Sequence, residues 1–369
     1  MKVTVSKYLN VRVGKPSVNA PCYQYLAPGS ELEVDGQLYP GDKYEGIDTW
    51  MKDEAGNYYW SGGITKENTS QSIQPIESIS LPQQSYNYNT LFHLPQDWKD
   101  SLGKNVKVAI IDTGIFGDHP DFLSRDKQIL GIDCTKVLTG EPYQQDVSVD
   151  GHGTHCAGLI GARQSRLRGI SGIAPQSDLM MLKGYVNGLG YEETRVAYCL
   201  KYAIDNGAEI ISMSFNLNYP DNTHLQAQIR RAIESNVLLV GAAGDDELLT
   251  GNSLYYPAMF ENCVKVGAIT SDCLKNNMNS INKKIDFLLE RIDFDSTSTK
   301  ENNYYKNLNG SSMATAIVSG IAALSLSILK GPAQPRSTPK KAIIDSLLNI
   351  AVNIPISGKM DSYTLYKLS

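Results

Sequence analysis

The sequence contains no stretch of about 18 consecutive apolar residues, so no membrane span is expected. It has no basic stripe, and a net charge of -5 over 369 residues gives no electrostatic pull toward nucleic acid or an anionic membrane. Its six cysteines (Cys22, Cys134, Cys156, Cys199, Cys263 and Cys273) form no CxxC pair and no zinc-ligand spacing. The opening residues, MKVTVSKYLNVRVG, hold no apolar core of the length a secretory signal needs. Free thiols and a cytoplasmic location follow as expectations. With only five histidines, histidine chemistry has few candidate positions. What remains is an ordinary globular composition, in a chain long enough for two unequal domains.

Residues 1–65 read as a small all-β barrel: short alternating runs (LNVRV, ELEVDG, NYYWSGGI) are separated by Gly, Pro and Asp turns. LNVRVGKPS, LAPGSELEV and YYWSGGI resemble a bacterial Src-homology-3-like module. That resemblance implies a peptide or wall ligand, or a regulatory role, beside the plain alternative of a structural appendage. Residues 66–90 (KENTSQSIQPIESISLPQQSYNYN within them) are rich in Gln, Ser, Asn and Pro with no sustained period, and read as a linker. It is either a tether or a cleavage site.

From residue 91 to 369 the pattern alternates. VKVAIID, DLMMLKGY, EIISMSF, NVLLVGAAG and CVKVGAI read as buried strands. GHGTHCAGLIGA, ETRVAYCLKYAIDNG, HLQAQIRRAIES and SSMATAIVSGIAALSLSIL read as helices. Repeated units of this kind specify an α/β fold, a largely parallel sheet with helices on both faces. Its sites form at the carboxyl ends of strands and the adjoining helix starts.

Three segments there carry chemistry. Asp112 ends the strand VKVAIID, where an acidic residue is also a common cap. In DGHGTHCAG, His152 and His155 are three apart. The zincin pattern needs a Glu after the first His and four-residue spacing, so the expectation is no metal, a functional His152 and a structural His155. In NGSSMATAIVSG, Ser312 opens an apolar helix whose free amides suit a developing oxyanion. Taken singly, Ser311 or Ser312 reads better as a helix cap.

Together, IIDTGIFGDHPDF, DGHGTHCAG and GSSMATAIVSG, supported by GIAPQSDLMMLK and IISMSF, resemble the subtilisin-like serine proteases, in the chain order Asp, His, Ser. The resemblance implies a serine endopeptidase acting on a peptide or protein substrate without a cofactor. Asp112, His152 and Ser312 would be its catalytic triad. It places Gly184, Gly188 and Gly190 on an edge segment pairing with the substrate backbone, and Ser214, Phe215 and Asn216 on the opposite wall. Phe215 either covers the pocket for the side chain preceding the scissile bond or is packed away. Ala243 and Gly244 lead into the oxyanion hole, formed by Ser312 and residue 245.

Position 245 departs from the family, which carries Asn there as an oxyanion donor. Asp245 cannot donate when ionised and would repel the transition-state charge; protonated, it could donate. The expectation is a slow or acid-favouring protease of restricted substrates. The competing readings are a peptide-binding pseudoprotease and an effector positioned by the N-terminal module. In GARQSRLRGISGIAP, Arg163, Arg166 and Arg168 replace oxygen ligands where the family often holds Ca²⁺, so no calcium is expected at this loop. Ser311 and Ala316 replace the family's Thr and Pro, both mild changes. Residues 271–308, charged and Asn-rich, read as an altered surface loop. Cys156 is either a buried small apolar residue or a reactive thiol beside the site.

Overall fold

The computed structural model describes residues 1–66, 86–136, 146–217, 222–249, 255–330 and 340–367, apart from positions 7–8, 19, 21, 27–29, 45, 149, 166–168, 261, 278–279, 356 and 358. The chain divides into two compact units, Met1–Ser78 and Ile79–Ser369.

The first unit is all β. An antiparallel sheet orders Glu31–Glu33, Lys2–Val5 and Ile64–Lys66; a second orders Cys22–Leu26, Leu9–Val13, Asn57–Trp60, Ile47–Lys52 and Tyr39–Tyr44. Alternation sends Val3, Val5, Leu9 and Val11 into one small core, which Trp50, Met51 and Trp60 complete.

The second unit is built on nine strands. Their order is Leu130–Asp133, Asp178–Lys183, Lys107–Asp112, Ile210–Met213, Leu238–Asp245, Cys263–Ile269, Phe287–Glu290, Tyr366–Lys367 and Val352–Asn353. The first seven pair in parallel, and only Phe287–Glu290 with Tyr366–Lys367 is antiparallel. The central strands are unbroken apolar runs because helices cover both faces.

The helix Ser311–Lys330 is long and apolar enough to cross a membrane, yet 78% of its most apolar window is buried inside the protein. It is the central core helix, packed against the helix His152–Gly161 and the strands Ile210–Met213 and Leu238–Asp245. The two helices that start with the candidate residues therefore touch each other and the middle of the sheet.

Two expectations need correction. Of the stretch read as linker, residues 67–85 lie outside the described residues, but Tyr86–Asn87 is a strand paired with Ile170–Ser171 and Tyr88–Leu91 a helix. Tyr88 is buried, stacks on Tyr86 and donates to Asp295 O at 2.7 Å, so aromatic packing ties this stretch to the second unit. The 271–308 stretch is no surface loop. It supplies the helix Ser271–Asn277, the central-sheet strand Phe287–Glu290 and the hairpin Phe294–Thr297 with Tyr305–Leu308.

Candidate active site

Asp112 is the last residue of its strand and fully buried. Its Oδ1 accepts the Thr113 amide at 2.8 Å and lies 2.7 Å from His152 Nδ1. Oδ2 has no partner among the described residues, so the carboxylate charge is met chiefly by the imidazole. His152 opens its helix behind Gly151 and keeps 22% of its side chain exposed. The approach depends on Gly153: a Cβ there would stand 2.3 Å from Gly114 O and 3.1 Å from Asp112 Cβ. Burial works against a charged imidazole, but Asp112 outweighs it and holds His152 well above its ordinary 6.5.

The second helix starts at Ser311, after Gly310 at φ +112°. Ser312 Oγ donates to Ser214 O at 3.2 Å, and Ser214 Oγ returns a bond to Ser312 O at 2.9 Å. No hydrogen bond joins Ser312 to His152 in this resting arrangement. Cys156, one turn along the histidine helix, joins the two sides. Its Sγ is 3.9 Å from His152 Nδ1, and Ser214 beside it acts to lower the thiol. Burial raises the Cys156 thiol, which keeps it protonated.

Asp245 sits at the end of Leu238–Asp245, after a register shift between Ala242 and Gly244. Its Oδ1 accepts the Ser311 amide, so this carboxylate caps the serine helix. Gly310 makes room for it, since a Cβ there would meet Asp245 Oδ2 at 3.0 Å. The Ser312 amide has no acceptor among the described residues and remains free as a donor. Burial raises the Asp245 carboxyl above its ordinary 3.8, opposed by the Ser311 amide and by Arg291. Arg291 donates to Asp246 Oδ2 at 2.7 Å and to Asn309 Oδ1 at 3.2 Å.

The cleft walls differ in part from expectation. Gly184 donates to Asp112 O at 3.0 Å, which fixes it beside the carboxylate strand. Residues 186–190 close into a turn in which Val186 and Gly190 pair with each other, and Gly188 and Gly190 adopt φ +78° and +72°. Two positive φ values within three residues bend the tip of the expected edge segment. Arg195 holds the turn at both ends, through Gly184 O at 3.3 Å and Gly190 O at 3.0 Å. On the opposite side Phe215 is buried and stacked on Tyr191 with centroids 4.2 Å apart, while Asn216 is exposed. Ala243 and Gly244 are buried.

Asp112, His152 and Cys156 each offer a metal-ligand atom within 4.8 Å of the others. Asp112 already occupies His152 Nδ1 and the thiol holds its proton, so the trio is a hydrogen-bonded unit and not a ready ligand set. His155 is buried, with Nε2 2.9 Å from Phe294 O and 3.0 Å from Lys306 O, and burial pushes it down to about 4. Beside the loop examined for calcium, Asp121 accepts Ser165 N–H, Ser165 O–H, Ile170 N–H and Tyr305 O–H at 2.7–3.0 Å. Four donors occupy a carboxylate that would otherwise be free for a cation. Arg166 and Arg168 lie outside the described residues. The five cysteines whose side chains are described carry free thiols.

The motifs did not mark Arg195, Arg291 or Asp146. Arg195 reaches Gly184, Arg291 reaches Asp246 and Asp146 reaches Thr113, and a lone charged residue outside a motif carries no local signal.

The subtilase family profile matches residues 103–354. The chain is 30% identical over 285 residues to an intracellular serine protease of Paenibacillus polymyxa, covering 76% of this chain and 84% of the relative. It is 35% identical over 238 residues to the major intracellular serine protease of Bacillus subtilis (strain 168), covering 62% and 71%. The chain's fold is similar to that in the structure of the prenylagaramide maturation protease PagA. The TM-score is 0.57 at 26% identity, covering 74% of this chain and 94% of that one.

Proposed function

The chain belongs to the subtilase family and is a serine endopeptidase, and from that premise we propose that Asp112, His152 and Ser312 are its catalytic triad. The observation that carries this is the 2.7 Å contact between Asp112 and His152, set beside the start of the helix that bears Ser312. On substrate binding the Ser312 hydroxyl leaves Ser214 O for His152 Nε2. Its oxygen attacks the peptide carbonyl as its proton passes to His152. Asp112 stabilises the imidazolium, which then protonates the leaving amine. Water, deprotonated by His152, cleaves the acyl-Ser312 ester and restores the hydroxyl.

The developing oxyanion meets the free Ser312 amide and Asp245. His152 works as a base only when neutral, and Asp245 serves as a donor only when protonated. The rise at His152 narrows the overlap of these two conditions and the rise at Asp245 widens it; the further His152 stands above Asp245, the fewer molecules meet both and the lower the rate. This favours a restricted processing protease over a digestive one, in keeping with the maturation role in the name of the PagA protease. Two relatives are named intracellular, which supports a cytoplasmic location. The Src-homology-3-like reading of the first unit assigns it a peptide or wall ligand.

The test is a fluorophosphonate probe applied across pH. Labelling that disappears in Ser312→Ala supports the triad. No labelling at any pH favours the second reading, a peptide-binding pseudoprotease, which rests on Asp245 acting as an acceptor toward Ser311.

A further inference from the structure

Asp146 lies six residues before His152 and outside every motif. It is buried, and its carboxylate accepts five hydrogen bonds. Oδ1 takes the Thr113 hydroxyl at 2.8 Å, the Ser148 hydroxyl at 2.7 Å and the Ser148 amide at 3.1 Å. Oδ2 takes the Thr154 amide at 2.9 Å and the Thr154 hydroxyl at 2.8 Å.

The two hydroxyls bound to Oδ1 have spent their protons on it, and their oxygens are left to accept. Ser148 Oγ accepts the His152 amide at 2.7 Å, and Thr113 Oγ accepts the Gly153 amide at 2.8 Å. With Thr154 bound directly, the first three amides of the histidine helix are all satisfied through one carboxylate. An ordinary helix receives this service from its N-cap side chain, and here the N-cap is Gly151, which has none. The reach extends to the acid as well. Thr113 follows Asp112, its amide donates to Asp112 Oδ1, and its carbonyl accepts the Val147 amide at 3.3 Å. Asp146 thus grips both the residue next to Asp112 and the turn that carries His152.

On the reading that Asp112 and His152 belong to the triad, we infer that Asp146 is a positioning residue for the reaction, setting the Asp112–His152 contact through Thr113 and Ser148. It touches neither substrate nor the reacting atoms. An amide at this position retains one acceptor oxygen and turns an NH2 toward groups that donate, so the network must open on one side.

The test uses the full chain. In Asp146→Asn, with rates counted per fluorophosphonate-reactive site, kcat falls on the order of 10- to 100-fold while KM stays within about threefold. The acid limb of the pH–kcat profile moves to lower pH, because a looser Asp112 lifts His152 less. Ser148→Ala gives a smaller fall of the same kind and adds little when combined with Asp146→Asn, as expected for residues acting in one network. A readout independent of turnover is the His152 Nδ1–H proton resonance, accessible in histidine-labelled protein with only five histidines. Its resonance shifts or broadens in Asp146→Asn on a Ser312→Ala background. An unchanged kcat and an unmoved resonance overturn the inference, as does a loss confined to KM. If Asp146→Asn fails to fold, Ser148→Ala and Thr113→Val decide by the same readouts. A parent chain with no turnover counts against the triad reading, and the resonance still decides this one.

Discussion

Two helices start at the site, and a buried or half-buried carboxylate from elsewhere in the chain caps each of them. At the histidine helix, Asp146 satisfies three amides from beneath, and Asp112 faces a group that becomes positive during the reaction. At the serine helix, Asp245 takes the Ser311 amide at the edge of the place where negative charge develops. The chemistry of the cap is the same and its consequence opposite. On the proposed triad, a carboxylate helps a cationic intermediate and opposes an anionic one, so the histidine side would favour the reaction and the serine side would restrain it.

The comparison breaks most severely if the reacting atoms are removed. Ser312→Ala is expected to abolish probe labelling and to cut kcat by about 10⁴-fold or more. Asp112→Asn, which leaves the shape but removes the charge facing His152, is expected to cost about 10⁴-fold, measured as peptidase kcat at constant probe-reactive protein. Asp245→Asn sharpens the contrast in the other direction. An Asn retains an acceptor for the Ser311 amide and gains a donor for the oxyanion, so kcat rises by about 10²- to 10³-fold. The loss of rate that accompanies ionisation of residue 245 disappears from the pH profile. An unchanged rate and profile would place Asp245 outside the oxyanion hole.

His152 and Asp245 both make stability fall as pH rises, one through an ion pair and the other through a buried proton. The folded pKa of His152 lies above its unfolded value near 6.5, so the Asp112–His152 pair contributes stability fully present below 6.5 and lost as pH rises through the folded value. Asp245 is a raised carboxyl, so the fold binds its proton more tightly than the unfolded chain. Stability falls as pH rises from 3.8 through the folded value, and Asp245→Asn removes that fall. Melting temperature measured against pH for Asp112→Asn and Asp245→Asn checks the two falls. The smallest expected effect is that of a chelator, which leaves the melting temperature unchanged because Asp121 is saturated by four protein donors.

Much of the second unit was legible because its strands are doubly buried and apolar, and its helices carry a clear period. The hairpin Phe294–Thr297 was not. Ser296 and Thr297 are fully buried, with hydroxyls donating to His155 O and Thr154 O, so a core strand carries the composition of a loop. At the site, Asp112, His152 and Ser312 stand inside local motifs and could be read directly. Asp146, Arg195 and Arg291 work through partners 5 to 45 positions away in the sequence in these bonds, and only folding brings those together. The turn at residues 186–190 was not legible because glycine permits an extended edge and a tight reversal equally well.

The tryptophans are divided two to one between the units: Trp50 and Trp60 lie in the core of the first, and Trp98 in the second. With three in the whole chain, the intrinsic emission is spectrally addressable by unit. Replacing Trp98 with Phe leaves a chain whose tryptophan fluorescence reports only the β unit, while peptidase activity reports only the other. Denaturing such a chain and following both signals shows whether the two units lose their structure together or one before the other.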